Sequence, residues 1–170
     1  MRQKKLKHVD IDLMNELGVI TKVKHLDTSN YSVVNLEIGS GKGQFITSLA
    51  NDNKDELFIA LERNINVCYR IVEKKLELKL DNLIVILGDS ENLLEYLSEN
   101  TVNNIFLNFS DPWPKARHHK RRLTYQPFLN IYKKLLVSDG ILQLRTDHLD
   151  LFNDSLEYFE NNFNIFDVNR

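Results

Sequence analysis

The chain has a single cysteine, Cys68, three prolines, six glycines and one tryptophan among its 170 residues. One cysteine excludes an internal disulfide and fits a reducing compartment, and its place in a helical stretch reads as packing. No apolar run approaches the roughly 20 residues of a membrane-spanning helix. The start, MRQKKLKH, has basic residues but no apolar signal core behind them. These absences lead us to expect a cytoplasmic protein without a membrane. There is no repeat, no low-complexity tract and no Pro-, Gly- or Ser-rich linker, so a single domain over 1–170 is expected, a basic segment at 1–30 and a core at 31–170. No set of Cys, His and acids has metal-ligand spacing, and His118 and His119 are adjacent without partners, so no metal is expected.

Net charge is only −2, but the charges are unevenly spread. Residues 1–8 carry four Lys/Arg and no acid, and residues 115–122 carry five and no acid, which leaves the remainder at −11. Two cationic patches on an acidic body can attract phosphate through local field. For the N-terminal patch a frayed, solvated terminus is an equal reading. For KARHHKRR it is weaker, since clustered cations repel one another unless a polyanion meets them.

Short apolar runs at 32–38, 57–62, 83–87, 104–109 and 141–146 alternate with helical spacing at about 42–51, 64–80, 90–98, 124–137 and 148–161. Five strand-helix units in sequence predict a doubly wound parallel sheet with helices on both faces. Ligands of such sheets bind outside the carboxyl ends of the strands, where strand order reverses. The unusual residues fall at those ends.

The first strand ends in LEIGSGKGQF, with Gly39, Gly41 and Gly43 on alternate positions. Such glycines permit positive φ and let backbone N–H groups approach a ligand. A phosphate-binding Walker loop is excluded because Gly43 follows Lys42 and Leu36 holds the earlier glycine position. The dinucleotide fingerprint fails at Gln44. What remains, E-x-G-x-G-x-G beginning at Glu37, resembles the first motif of class I S-adenosylmethionine-dependent methyltransferases. Glu62 closes the second strand, where a carboxylate can accept two hydrogen bonds from a ribose diol or cap the next helix. Asp89 follows the third strand, near an adenine amino group in that class or as a helix cap.

The fourth strand leads into NFSDPWPKARHHKRRLTYQPF, which with EIGSGKGQF, Glu62 and the TDH at 146–148 resembles the tRNA (guanine-N7)-methyltransferase family. The resemblance runs from about Leu36 to Asp150. It implies a Rossmann-like fold and methyl transfer from S-adenosylmethionine to N7 of a guanine in the tRNA variable loop. By matching positions it implies cofactor roles for Glu37, Gly39, Gly41, Gly43, Glu62, Asp89 and Asp111, with Asp111 also catalytic. Lys115 and Asp147 would contact substrate, and Arg117, His118, His119, Lys120, Arg121 and Arg122 would face RNA. Asp147 can instead cap the helix beginning near His148. Trp113 is either a stacking platform or a loop anchor.

The reaction itself needs little of the protein beyond alignment. N7 of neutral guanine has a lone pair and no proton, so no general base is required. Asp111 is better read as a group that stabilises the cation forming on the base and orients it, with Asn108 assisting and Pro112 and Pro114 stiffening the loop. Two other classes are compatible. An exocyclic-amine methyltransferase uses a related motif, although Trp113 replaces its second proline, and an RNA-binding module can keep the fold without turnover. The family's Thr-x-Tyr-Glu segment does not follow in this sequence, and only NIFDV at 164–168 offers a further strand, so the last C-terminal strand is expected to be missing and 141–146 to lie at an edge. Oligomeric state, monomer or homodimer, stays open.

Overall fold

A computed structural model describes residues 4–170; Met1, Arg2 and Gln3, with the first cation of the N-terminal patch, lie outside the described residues. The chain forms α1 (Ile11–Glu16), β1 (Val34–Ile38), α2 (Gln44–Asp52), β2 (Leu57–Glu62), α3 (Ile65–Leu78) and β3 (Leu83–Leu87). A 3-10 turn at Ser90–Asn92 leads to α4 (Leu93–Tyr96) and β4 (Val102–Asn108). A second 3-10 turn at Ala116–Arg121 precedes α5 (Gln126–Leu135), β5 (Leu136–Arg145) and α6 (Leu149–Glu160). All five strands are parallel, in the order β3-β2-β1-β4-β5. The doubly wound expectation is therefore met, and the order reverses between β1 and β4.

Alternation along the strands divides the core in two. Leu36 and Ile38 of β1, Ile59 and Leu61 of β2 and Leu107 of β4 pack with Tyr96, Leu129, Tyr132 and the inner side of α6. Phe58 and Ala60 of β2 and Val85 of β3 pack on the other face against Met14 of α1, Ile46 of α2 and Cys68, Ile71 and Val72 of α3. Glu37 and Glu62 follow the second parity, so both lie on the face covered by α2 and α3. Phe106, paired with Glu37 across the sheet, shares that face and meets Phe45 of α2 edge-on at 5.0 Å.

Helix ends follow local chemistry. Asn64 starts α3 by accepting from the amides of Asn66 and Val67, and Lys79 stops it in the left-handed region at φ 54°. His148, not Asp147, caps α6, with its Nδ1 accepting from Leu151 N–H at 3.3 Å. The helix expected over 90–98 shrinks to a turn and the four residues of α4. Its last carbonyl, on Tyr96, is taken by Leu26 N–H from a crossing segment at 2.8 Å, and Leu97 leaves in extended conformation.

Two further differences from the sequence reading have physical causes. β5 begins at Leu136, five residues earlier than expected, because the turn-like Ser138-Asp139-Gly140 forms an irregularity within the strand rather than its boundary. Residues 164–168 form no strand, so β5 has no neighbour beyond it among the described residues. The segment from Lys4 to Val9 is not frayed. Leu6 N–H donates to Asn66 Oδ1 at 2.9 Å and His8 stands edge-on to Tyr69, which seats the segment on α3 with Lys4, Lys5 and Lys7 exposed. Among the described residues, no helix is long and apolar enough to cross a membrane.

Candidate active site

The carboxyl ends of β1 and β4, adjacent at the reversal point, carry Glu37 and Asn108. Glu37 is 3% exposed, and its Oε2 has no hydrogen-bond partner. Both amide atoms of Asn108 are likewise buried and unpartnered. Burial pushes the Glu37 carboxyl up to about 8, and the charge of Glu62 adds to the rise. Nearby Asn108 opposes that rise, without a hydrogen bond of ordinary geometry. Unmet polar atoms in a dry place are costly, so three on two neighbouring strand ends mark a position shaped for a polar ligand.

The glycine loop turns over this position. Gly41 has φ 57°, and a Cβ built on it meets nothing within 4 Å, so the backbone there borders open space. Gly43 serves packing instead. At φ 80° it opens α2, and a Cβ would come within 3.0 Å of Ile71, so its bareness seats α2 against α3. Most of the loop amides are used within the protein, where the glycine pattern suggested donors for a ligand. Gly39 and Ser40 N–H donate to Leu61 O, and Gly41 N–H donates to Glu62 Oε2 at 2.9 Å. The loop offers shape more than donors.

Glu62 is thereby a clamp before it is anything else. Its Oε1 also accepts from Arg63 and Asn64 N–H, both at 3.1 Å. A carboxylate has about four acceptor positions. Three are taken, so one remains for a hydroxyl where a two-bond diol contact was expected. Asp89 lies exposed at the end of β3; it opens the 3-10 turn through its backbone, and its side chain makes no cap bond.

Beyond Asn108 the backbone becomes unusual. Phe109 and Trp113 both have positive φ, 53° and 43°, although neither is glycine. Asp111 lies exposed between them, and Phe109 is 66% exposed. Strained residues of this kind cluster at functional sites because the surrounding structure must hold them. Phe109 N–H bonds Arg145 O at 2.8 Å, which ties the start of the loop to β5, and Asp147 lies exposed just past that strand. Trp113 is half-buried, with the Arg121 guanidinium 5.0 Å over its ring and His118 edge-on at 5.9 Å. These contacts tie it to the cationic turn.

The residues expected to face RNA divide in the structure. Lys115, Arg117, Lys120 and Arg121 are exposed, and His118 and His119 are half-buried. Arg122 does not face outward: it is 1% exposed and pairs with Asp154 of α6 at 2.6 Å. The run of like residues hid this difference, since its cause is a partner 32 positions away. Asn108 and Asp154 are the residues whose part the sequence undervalued. Among the described residues, no group of three or more His, Cys, Asp or Glu could hold a metal ion.

Comparison with known proteins agrees with this arrangement. A family model described as "Putative methyltransferase" matches residues 31–170. Curated proteins named tRNA (guanine-N(7)-)-methyltransferase are similar. One from Lacticaseibacillus casei is 50% identical over 121 residues, 71% of this chain and 56% of the relative. Another from Limosilactobacillus reuteri is 48% identical over 134 residues, 79% of this chain and 63% of the relative. The chain spans about three-fifths of the length of these relatives. Among solved structures, a precorrin-6y C5,15-methyltransferase from Geobacter metallireducens superposes with TM-score 0.64 at 16% identity, covering 94% of this chain and 74% of that one. A SAM-dependent methyltransferase from Aquifex aeolicus gives 0.57 at 18% identity over 88% and 76% of the two chains. These two share the fold. Since the family match takes in the glycine loop, the acidic strand ends and the loop around Asp111 together, the chain belongs to this methyltransferase family.

Proposed function

We propose that the chain transfers the methyl group of S-adenosylmethionine to N7 of a guanine in tRNA. The observation that carries the reading is the strained loop bearing Asp111, placed after the unpartnered Glu37–Asn108 position and before an exposed cationic turn. The relatives' shared name supports the same substrate.

The residues present fit the cofactor. The buried Glu37 carboxyl and the Asn108 amide suit an ammonium and a carboxylate, the two ends of an amino-acid moiety, and both carry buried atoms without a partner in the chain. The remaining acceptor position of Glu62 suits a ribose hydroxyl, and Gly39 and Gly41 leave room beside it. Asp89, exposed at the next strand end, is within the same rim. When bound, the cofactor supplies an electrophilic methyl group on sulfonium.

Asp111 then acts without moving a proton. Positive charge grows on the guanine ring as N7 gains its bond, and a carboxylate beside it stabilises that charge. The same carboxylate can accept from guanine N1–H and N2–H, which fixes the base with N7 toward the methyl group. Lys115 and Asp147 are exposed at the ends of the loop and of β5, and we assign them to the border of the base. Arg117, Lys120 and Arg121 meet the phosphates, where cations act mainly on affinity and its salt dependence.

The decisive experiment is incubation of the protein with tRNA and isotopically labelled S-adenosylmethionine, followed by mass spectrometry of the nucleosides. The expected product is 7-methylguanosine. An N2-methylated or N6-methylated nucleoside would assign exocyclic-amine chemistry, and tRNA binding without any methylated product would assign a binding module.

A further inference from the structure

We infer that Arg122 is a positioning residue for the Asp111 loop and takes no part in binding RNA, an inference that rests on the role proposed above for Asp111. Its guanidinium joins two parts of the molecule. Nε donates to the carbonyl of Pro112 at 2.8 Å, and Nη1 donates to Asp154 Oδ2 at 2.6 Å. Pro112 follows Asp111 directly, so the carbonyl held is one peptide from the carboxylate that meets the substrate. Asp154 lies on α6, which packs on the opposite face of the sheet from α2 and α3.

Two observations separate this role from simple stabilisation. The third guanidinium nitrogen, Nη2, is buried without a partner, so the hydrogen bonding of the guanidinium is incomplete, and a buried pair of that kind is a weak source of stability. The chain beyond Arg122 is also held independently: Ser155 Oγ donates to Thr124 Oγ1 at 2.8 Å, and Tyr132 hydroxyl donates to Leu123 O at 2.8 Å. Removing the guanidinium therefore takes away the hydrogen bond on the Pro112 carbonyl, while the Phe109 N–H bond to Arg145 O and the Arg121 and His118 contacts of Trp113 stay in place. Between these ties the loop holds Phe109 and Trp113 in the left-handed region, conformations that persist only under outside restraint.

The only tryptophan, Trp113, adjoins Pro112 and reports on the loop without any need for turnover. The test compares the full chain with Arg122→Met, Arg122→Lys and Asp154→Asn by acrylamide quenching of Trp113, thermal melting, cofactor and tRNA affinity, and methyl-transfer kinetics. Arg122→Met is expected to raise the quenching constant about twofold or more and to lower kcat at least about tenfold. Melting temperature should fall by only a few degrees, because the Asp154 left behind is 37% exposed and keeps its hydration, with tRNA Kd and its salt slope unchanged. Arg122→Lys can reach one of the two acceptors and should recover part of the rate. Asp154→Asn loosens the pair from its half-exposed end and should show the same rise in quenching, which covers the case of an Arg122→Met chain that does not fold. Unchanged quenching in Asp154→Asn, or a weakened and less salt-dependent tRNA complex in Arg122→Met with quenching unchanged, would overturn the inference. A wild-type chain without methyl transfer would refute the reading of Asp111, while the quenching data would still decide whether Arg122 holds the loop.

Discussion

Replacing Glu37 by glutamine should make the protein more stable, by an amount that grows with pH. Burial raises this carboxyl from 4.5 to about 8. Below about pH 4.5 the folded and unfolded chains both hold the proton. Between there and about pH 8 the unfolded chain ionises while the folded chain does not, so stability falls as pH rises. Each unit is worth about 1.4 kcal/mol, and the whole window about 5 kcal/mol. Glutamine keeps the shape and lacks the titration. Urea unfolding of the two proteins should therefore differ by less than about 1 kcal/mol at pH 5, by about 3 kcal/mol at pH 7 and by about 4 to 5 kcal/mol at pH 8. Titrations that are not coupled to Glu37 cancel in the difference. A gap that stays flat from pH 5 to 8 would show that Glu37 is already ionised in the folded chain. The same residue should give S-adenosylmethionine binding a proton signature. An arriving ammonium favours the carboxylate, so the wild type should release a proton on binding near pH 7 and Glu37→Gln should not, as read by calorimetry in buffers of different ionisation enthalpy.

Glu62→Ala should weaken S-adenosylmethionine binding by roughly 1 to 3 kcal/mol, because it removes the hydroxyl contact and the acceptor for Gly41 N–H together; calorimetry showing full affinity would detach the glycine loop from the cofactor. Asp111→Asn should lower turnover on the order of 100-fold with little change in tRNA affinity, and near-normal turnover would make this residue structural. Neutralising Arg117, Lys120 and Arg121 should weaken tRNA binding and reduce the log-log salt slope by roughly 0.7 to 0.9 for each phosphate no longer neutralised, whereas an unchanged slope would leave those side chains to solvent.

The sheet was legible because parallel strands buried on both faces are written as apolar runs, and LFIALE and LIVIL mark their strands to the residue. The positions of Glu37 and Glu62 at the ends of β1 and β2 were legible for the same reason, but the clamp that Glu62 makes on Gly41, Arg63 and Asn64 N–H was not. Less could be read where a tertiary contact overrode a local signal. The Ser138-Asp139-Gly140 stretch spells a turn, yet β4 pairs on both sides of it, Val102 with Leu136 and Asn104 with Ile141, so the strand passes over it as an irregularity. Asp89 and Asp147 each stand where a cap belongs, but a backbone-led turn and His148 fill those places. Arg122 and Arg121 are adjacent and chemically identical, and only the fold sends one inward to Asp154 and the other over Trp113. Charge in a run is visible in a sequence; the direction of each side chain is not.

The placement of β1 between β2 and β4 has a consequence for how the chain assembles. Contacts joining β1 to β2 close loops of 21 or 22 residues, through Asn35 to Leu57 and Gly41 to Glu62. Those joining β1 to β4 span 69 residues, through Val34 to Asn103 and Asn104 to Asn35. Closing the longer loop carries about 1 kcal/mol more entropy loss, and it is repaid only once β4 docks. The glycine loop and its Glu62 clamp thus form from neighbouring segments, while Asn108 and the Asp111 loop join them across the greatest sequence separation in the centre of the sheet. During folding the glycine loop, Glu37 and Glu62 should therefore come together first, and the arrival of β4 with Asn108 and the Asp111 loop should be the slower step.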